Sequence, residues 1–359
     1  MEEGAQYNMK FSVIVPVHNA EKYISEATSS IVKAAEGMEN SIEVLLIENG
    51  STDRSGYICG ELANRFPFVK TVHMGPASAY DARQEGIKRA AGDYLVFMDA
   101  DDAVAPGIFT ELQKAASKYE RKGKRPEIIL YNAAEMSTPE SKMFPFPFKE
   151  GKIYSGDGKK KFYEIMCSGD MLNAMWNKCI GKELAGRIEE TVNRKLNYGE
   201  DLLQTAEIID KAKSIAYLDR ILYFYRINEE GLTGGYHENF MENQEKAFEV
   251  LDDYAKKWAK GGFTEVINER KTLTCTISMK KLIYSDLPFS EIKRKMKEMM
   301  GSDFYKEYGK GKLPSWASEE DAYVYRYQVA GMPVLRLMLL SRKTRLKSRI
   351  KARIRKNGI

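Results

Sequence analysis

The stretch "YLVFMDADDAV", residues 94–104, carries five strand-forming, mostly apolar residues straight into three carboxylates, Asp99, Asp101 and Asp102. Burying carboxylates is costly unless they are paired or hold a metal, and three within four residues repel one another. A solvated loop whose acids cap a helix beginning near Pro106 would account for Asp101 or Asp102, but it leaves Asp99 at the strand end unexplained. Oxygen ligands at this density suit Mg2+ or Mn2+ bridging to a phosphorylated ligand, because hard divalent cations take few protein carboxylates plus phosphate oxygens.

Three other stretches could share that chemistry. In "IENGSTD" (47–53) Glu48 could accept hydrogen bonds from a base while backbone amides face a ligand, although such turns are common. Arg83 in "YDARQEGI" is either a surface ion-pair partner or a planar guanidinium for a nucleotide or phosphate. Glu200 and Asp201 in "YGEDLL" are either favourable charges at a helix N-terminus or a general base that removes a proton from an attacking hydroxyl. The three histidines, His18, His73 and His237, are scattered, so a histidine-rich metal site is not expected. Cys59, Cys167, Cys179 and Cys275 show no metal or redox spacing and read as reduced, buried thiols.

The elements that must position these residues alternate through the first half. "FSVIVPV" (11–17), "SIEVLLIE" (41–48), "FVKTVHM" (68–74), "YLVFMD" (94–99) and "EIILYNAAE" (127–135) read as strands. Helical patterns separate them at 20–35, after "NGSTD", whose Ser51, Thr52 or Asp53 can cap, at 78–92, which Gly92 would close, and at 106–120. Alternation of this kind implies a doubly wound, mostly parallel sheet with helices on both faces, in which ligands bind beyond the carboxyl ends of the strands. Those ends are 16–19, 48–53 and 99–102. Beyond 136 the alternation fails: "MSTPESKMFPFPFKEG" reads as a loop, and the segment 198–231 as an acid-led helix followed by two strands. From about 237 the pattern is helical.

Taken in order, "VIVPVHNAEKYI", "IENGSTDRS", "DARQEGIKRAAGDYLVFMDADD", "WNK" and "YGEDLL" resemble glycosyltransferase family 2, the inverting nucleotide-sugar transferases of GT-A fold, over residues 10–230. The resemblance implies that Pro16, Val17 and Glu48 hold the nucleotide base; Arg83, by its own chemistry, is expected to bind the donor. It places Asp99, Ala100 and Asp101 on an Asp-X-Asp element, with Asp99 near the ribose and Asp101 on the metal, and Asp102 supporting the following turn. It makes Asp201, after Glu200, the catalytic base, and puts Trp176 near the acceptor. It implies a nucleotide-sugar donor, by family habit a UDP-sugar, a glycan or lipid-linked acceptor, and Mn2+ or Mg2+. Departures are His18 where the family commonly has Tyr, Glu48–Asn49 where it has two Asp, Gln84 where it has Asn, and "GPASAY" without the usual Asn and Gly. No Gln-X-X-Arg-Trp element is found, so addition of one or a few sugars is expected. A nucleotidyltransferase of related fold would be expected to show a Gly-rich phosphate loop after the first strand, which is not seen; a non-catalytic sugar-nucleotide-binding module need not keep both Asp101 and Asp201.

With 43% hydrophobic residues the 359-residue chain can bury a core. It divides into a transferase domain over 1–236, a helical region over 237–335 and a basic tail over 336–359. Ten of the 56 Lys and Arg lie in that tail, which has no acid, leaving 46 against 51 acids elsewhere. Leu339, Leu346, Ile350 and Ile354 recur seven and four residues apart among these charges, a pattern for a helix lying on an anionic membrane surface; a solvated tail or one docked on the acidic body are the plainer readings. With an acidic body and no recognisable motif, nucleic acid is not an expected partner. The N-terminus is acidic and polar, unlike a secretory signal, so a cytoplasmic protein, peripheral on the inner membrane face, is expected.

Overall fold

The structure is a computed structural model that describes residues 9–121, 123–188, 196, 199–228, 236–259, 262–331, 335, 336 and 339. The chain separates into two compact units: Met1–Phe162 with Asp170–Ile227, and Tyr163–Gly169 with Asn228–Ile359.

In the first unit, β1 (Phe11–Val17), β2 (Ile42–Asn49), β3 (Val69–Met74) and β4 (Tyr94–Phe97) form a parallel block in the order β3-β2-β1-β4. A strand covered on both faces needs apolar side chains on both, which is why "FSVIVPV" is continuous rather than alternating. Val13 and Val15 join a core with Ile24, Ala27 and Ile31 of α1 (Ile24–Ala34), Leu62 of α2 (Ser55–Arg65), and Phe109 and Leu112 of a later helix over Ile108–Glu120. Ile14 points the other way, toward α3 (Ala79–Arg89). At about 1.5–3 kcal/mol per fully buried aliphatic side chain, this two-sided burial fixes the register, since a one-residue slip would exchange the faces. Gly92 does not close α3, which ends at Arg89 with Ala90 as its cap. Instead Gly92 donates to Ser12 Oγ at 2.8 Å, and a Cβ there would come within 2.7 Å of the Ser12 amide.

The sheet continues through β5 (Ala103–Val104), β6 (Ile128–Glu135), β7 (Ile153–Tyr154), β8 (Lys178–Gly181) and β9 (Ile215–Tyr225), in the path β4-β8-β6-β9-β5, with β7 also on β9. β8 runs antiparallel to both neighbours, so the sheet is mixed, though its β1–β4 block and the β6–β9 pair are parallel. The two strands expected after the acid-led helix are one strand, β9, whose register against β6 jumps between Tyr131 and Ala133 and leaves Asp219 and Arg220 at the surface. Helix α4 is the Ile108–Glu120 segment; α5 (Lys160–Ser168), α6 (Lys182–Ala185) and α7 (Glu200–Lys211) follow. The 137–152 loop is held by aromatic side chains: Phe144 lies on Trp176, Phe146 on Tyr217 and Phe148 on Phe162, the last pair with ring centroids 3.9 Å apart.

The second unit holds α8 (Phe240–Ala259), α9 (Thr264–Ile283), α10 (Phe289–Gly301), α11 (Asp303–Tyr308) and α12 (Glu319–Val329). The other four pack around α9, which is why its buried positions run without interruption from Arg270 to Thr276. Lys271 is buried among them and donates to Asp252 at 2.7 Å, so the charge is paired. Of the basic tail, Leu346, Ile350 and Ile354 lie outside the described residues.

Candidate active site

The parallel block brings the ends of β1, β2 and β4 to one edge. Val17 lies beside Glu48 and Glu48 beside His73, three strands in one row. Pro16, half-buried, pairs with Ile47. The loops after β1 and β2 bind each other. Asn19 takes a left-handed conformation (φ 49°), which Asn tolerates better than most residues, and its Oδ1 accepts from the Thr52 amide at 2.8 Å. Ser55 Oγ accepts from the Ala20 amide at 2.8 Å, and Asp53 accepts from the amides of Ser55 and Glu21. The N-cap of α2 is Arg54 with no side-chain bond, so none of Ser51, Thr52 and Asp53 is its cap; Asp53 instead ties the two loops together at the first residue of the helix.

Glu48 is buried, with Oε1 accepting from the Ser51 amide at 2.5 Å and Oε2 lying 3.1 Å from His73 Nδ1. Burial acts to raise its pKa, but the Ser51 amide and His73 more than offset it and hold the carboxyl below its ordinary value.

Past β4, the acidic loop is anchored to β9. The Asp99 amide donates to Tyr223 Oη at 3.1 Å, and that hydroxyl donates to Asp102 Oδ2 at 2.5 Å. The Arg226 amide donates to Asp102 Oδ1 at 2.7 Å, and Arg226 Nε to the Asp101 carbonyl at 2.7 Å. Arg226 also reaches Glu26 on α1 at 2.8 Å. Asp102 is 1% exposed and tied to a strand more than a hundred residues away. It does not cap α4, whose N-cap is Gly107 with no side-chain bond. Ala100 is buried, while Asp99 and Asp101 are half-buried. Burial pushes the Asp99 carboxyl up to about 6; Arg83 opposes this, and Asp201 and Asp101 add to it. Burial and then Asp99 push Asp102 up as well, against the Tyr223 and Arg226 donors.

Arg83 joins this loop to α7. Helix α3 begins with a reciprocal cap, Ser78 Oγ accepting from the Asp81 amide and the Asp81 carboxylate from the Ser78 amide. It packs on β1 and β2, and Arg83, one turn in, is 5% exposed. Its Nη1 donates to Asp201 Oδ1 at 2.5 Å and, at 3.4 Å, to Gln204 Oε1. Gly199 caps α7 with φ 91°, a conformation costing glycine little, and so places both acids in the first turn, where the helix dipole favours them. Burial and then Asp201 push Glu200 up to about 7, with Arg83 opposing. Asp99, Glu200 and Asp201 all interact electrostatically with the one guanidinium.

Trp176 is buried in a stack, 4.6 Å from the Tyr223 ring with planes 7° apart and flanked by Phe144 and Tyr225. Lys178, next along β8, donates Nζ to the Leu172 carbonyl at 2.8 Å, to Asn177 Oδ1 at 2.7 Å and to the Ala174 carbonyl. Burial pushes its pKa down to about 7, with Asp201 opposing; three acceptors match the three N–H groups of an ammonium.

The structure therefore brings Asp99, Asp101, Arg83, Glu200 and Asp201 to one locus, with Pro16, Val17 and Glu48 along the same edge and Trp176 inside the wall beside Tyr223. Sequence reasoning passed over Tyr223, Arg226 and Gln204, which sit in ordinary strand and helix patterns. For His73, the available signal was its position at the end of a strand neighbouring Glu48.

A family model described as glycosyl transferase family 2 matches residues 12–175. The uncharacterized glycosyltransferase EpsJ of Bacillus subtilis is 25% identical over 222 residues, 62% of this chain and 62% of that protein. The minor teichoic acid biosynthesis protein GgaB of B. subtilis is 31% identical over 229 residues, 63% of this chain but 24% of that protein. This chain therefore matches less than two thirds of the length of either relative. Among solved structures, residues 1–349 of TarS from S. aureus share the fold with a TM-score of 0.58 at 16% identity, covering 94% of this chain and 92% of that one. TarS 1–349 has also been solved with UDP-GlcNAc and with UDP. The mixed, largely parallel sheet with helices and a helical C-terminal region is the architecture shared with TarS. Residues 12–175, a little under half of the chain, are thus similar to glycosyl transferase family 2.

Proposed function

We propose that this chain transfers a sugar from a nucleotide-diphosphate sugar, a UDP-sugar first, to a hydroxyl of a glycan or lipid-linked acceptor in bacterial surface polysaccharide synthesis. The observation that carries this is the meeting, through Arg83, of Asp201 with the carboxylates beyond β4, across 118 residues of sequence. The family match over residues 12–175, relatives named for teichoic acid biosynthesis and glycosyl transfer, and the UDP and UDP-GlcNAc complexes of TarS support the donor class.

In this mechanism the base lies at the β1–β2 edge, with Pro16, Val17 and Glu48, and Asp99 lies toward the ribose. The acceptor oxygen attacks the anomeric carbon as the bond from that carbon to the diphosphate oxygen breaks, its electron pair leaving with the nucleoside diphosphate. Asp201 takes the acceptor's hydroxyl proton from the opposite face, so one direct displacement inverts the centre. Arg83 offers a buried cation to the diphosphate, and Glu200 lies beside Asp201 on the acceptor side with Trp176 behind. A divalent metal fits the residues present, because the donors are hard oxygens. Among the described residues no group of three or more His, Cys, Asp or Glu could hold a metal ion, so phosphate oxygens would have to complete its shell. Asp101 would hold Mn2+ or Mg2+ with Asp99 beside it, and when bound the metal offsets charge on the leaving diphosphate.

The test is incubation with Mn2+ and a panel of nucleotide sugars, assaying the free nucleoside diphosphate. Release from one donor supports transfer; release of pyrophosphate from a nucleotide and a sugar phosphate would replace this reading with nucleotidyl transfer, and binding without release would leave a binding module. We further propose that the tail from Arg336 onward holds the chain at an anionic membrane, each basic residue near the surface contributing about 1 kcal/mol. Removing 336–359 should sharply lower sedimentation with phosphatidylserine liposomes at moderate salt, and unchanged sedimentation rejects the anchor.

A further inference from the structure

Arg83 uses one nitrogen for both of its bonds. Nη1 donates to Asp201 Oδ1 at 2.5 Å and to Gln204 Oε1 at 3.4 Å, and among the described residues Nε and Nη2 have no hydrogen-bond acceptor. Gln204 lies three residues after Asp201 on α7, which places both on one face of the helix. It is fully buried, and among the described residues its Nε2 has no hydrogen-bond partner. A buried amide normally finds partners for both ends; this one spends its oxygen on a bond too long to compete with a carboxylate. The carboxylate that should take a proton is meanwhile engaged by a guanidinium.

We infer that Gln204 is a positioning residue that receives Arg83 Nη1 when Asp201 is released to the acceptor. This rests on the proposed role of Asp201 as the base. A guanidinium presents its N–H groups along two edges, so donor diphosphate on the Nε and Nη2 side draws charge away from Asp201 while Nη1 keeps a partner inside the protein. The Nη1–H to Oδ1 hydrogen bond breaks and the Nη1–H to Oε1 bond shortens; no proton changes owner in this step. Asp201 then has Oδ1 open to the incoming hydroxyl. Before the donor arrives the carboxylate stays engaged, which orders the two substrates.

The experiment compares Gln204→Leu and Gln204→Glu in the full chain, with UDP-GlcNAc as the probe donor, water as acceptor, and UDP affinity and melting temperature measured alongside. Leucine withdraws the second resting place: kcat for UDP release should fall up to about tenfold, the worth of one hydrogen bond, with the donor KM within about twofold. Glutamate takes Nη1 permanently and should raise hydrolysis several-fold. Variants that move kcat in the same direction at unchanged melting temperature, or that change KM alone, overturn the inference. Crystals grown with and without UDP decide independently of turnover: the Arg83–Asp201 bond should lengthen past hydrogen-bond range as the Gln204 bond shortens, and an unchanged pair overturns the inference. Asp201→Asn separates the two levels. Full hydrolysis in that variant removes the base itself, whereas a dead Asp201→Asn beside Gln204 variants that behave as the parent removes only the role of Gln204.

Discussion

Two ends of one strand edge are finished differently. At the β2 and β3 end, Glu48 has the Ser51 amide on one oxygen and His73 on the other, and its pKa is held low. At the β4 and α7 end, Asp99, Glu200 and Asp201 share a single guanidinium, and Asp99 and Glu200 are pushed up. The first end is electrostatically complete without a ligand. At the second, burial is the main cause of the upward push and one guanidinium opposes it, and it is there that chemistry is proposed.

The sharpest way to break this contrast is Asp201→Asn. A positioned general base contributes about 10²–10⁴-fold, so nucleotide release should fall by that factor while UDP affinity stays near its parent value. Retained turnover would mean that the incomplete end only binds. Next comes Arg83→Met, which strands Asp99, Glu200 and Asp201 together. Removing one member of a buried pair costs about 3–5 kcal/mol; Asp201 is a third exposed, so a loss near about 3 kcal/mol is expected in urea unfolding. A loss below about 1 kcal/mol would show that water already compensates the cluster.

The two ends should also respond to pH with opposite sign. Glu200 is raised in the folded chain, so between about pH 4 and 7 the native state holds more protons than the unfolded one, and stability falls as pH rises through that window. Glu48 is lowered, so its contribution is present above its unfolded value and is lost as pH falls below it. Measured in EDTA, Glu200→Gln should flatten the decline between pH 5 and 7, by at most about 1.4 kcal/mol per pH unit, and Glu48→Gln should flatten only the acid limb. The same limb flattened by both variants would erase the distinction.

How much of this could be seen in the chain depends on what buried charge does to a sequence. β1 was legible because a strand covered on both faces has to be apolar throughout. The acids at 99–102 and 200–201 were legible because carboxylates beside apolar runs have few explanations. β8 was not, since its four residues open on Lys178 directly after Asn177, and Lys178 becomes acceptable only when the Leu172 and Ala174 carbonyls fold back to receive it. Nor were the groups that hold the acidic loop. Tyr223 and Arg226 reach Asp102 across 121 and 124 residues, and "LYFYR" reads as any half-buried strand. Periodicity reports which face is buried; it does not report which hydroxyl meets which carboxylate.

The smallest expected effect tests that last point. In Tyr223→Phe the ring remains against Trp176, so the stack at 4.6 Å should survive and only the hydroxyl between the Asp99 amide and Asp102 is lost. A net hydrogen bond is worth about 1 kcal/mol, and Asp102 keeps the Arg226 amide, so thermal unfolding should shift by a few degrees. Because the Asp99 amide loses its acceptor, the loop should also be looser, and the Mn2+ concentration giving half-maximal nucleotide release should rise while UDP affinity without metal stays the same. A stability loss with no change in the Mn2+ requirement would show that Tyr223 supports the sheet alone, and that the incomplete end keeps its acids aimed through Arg226.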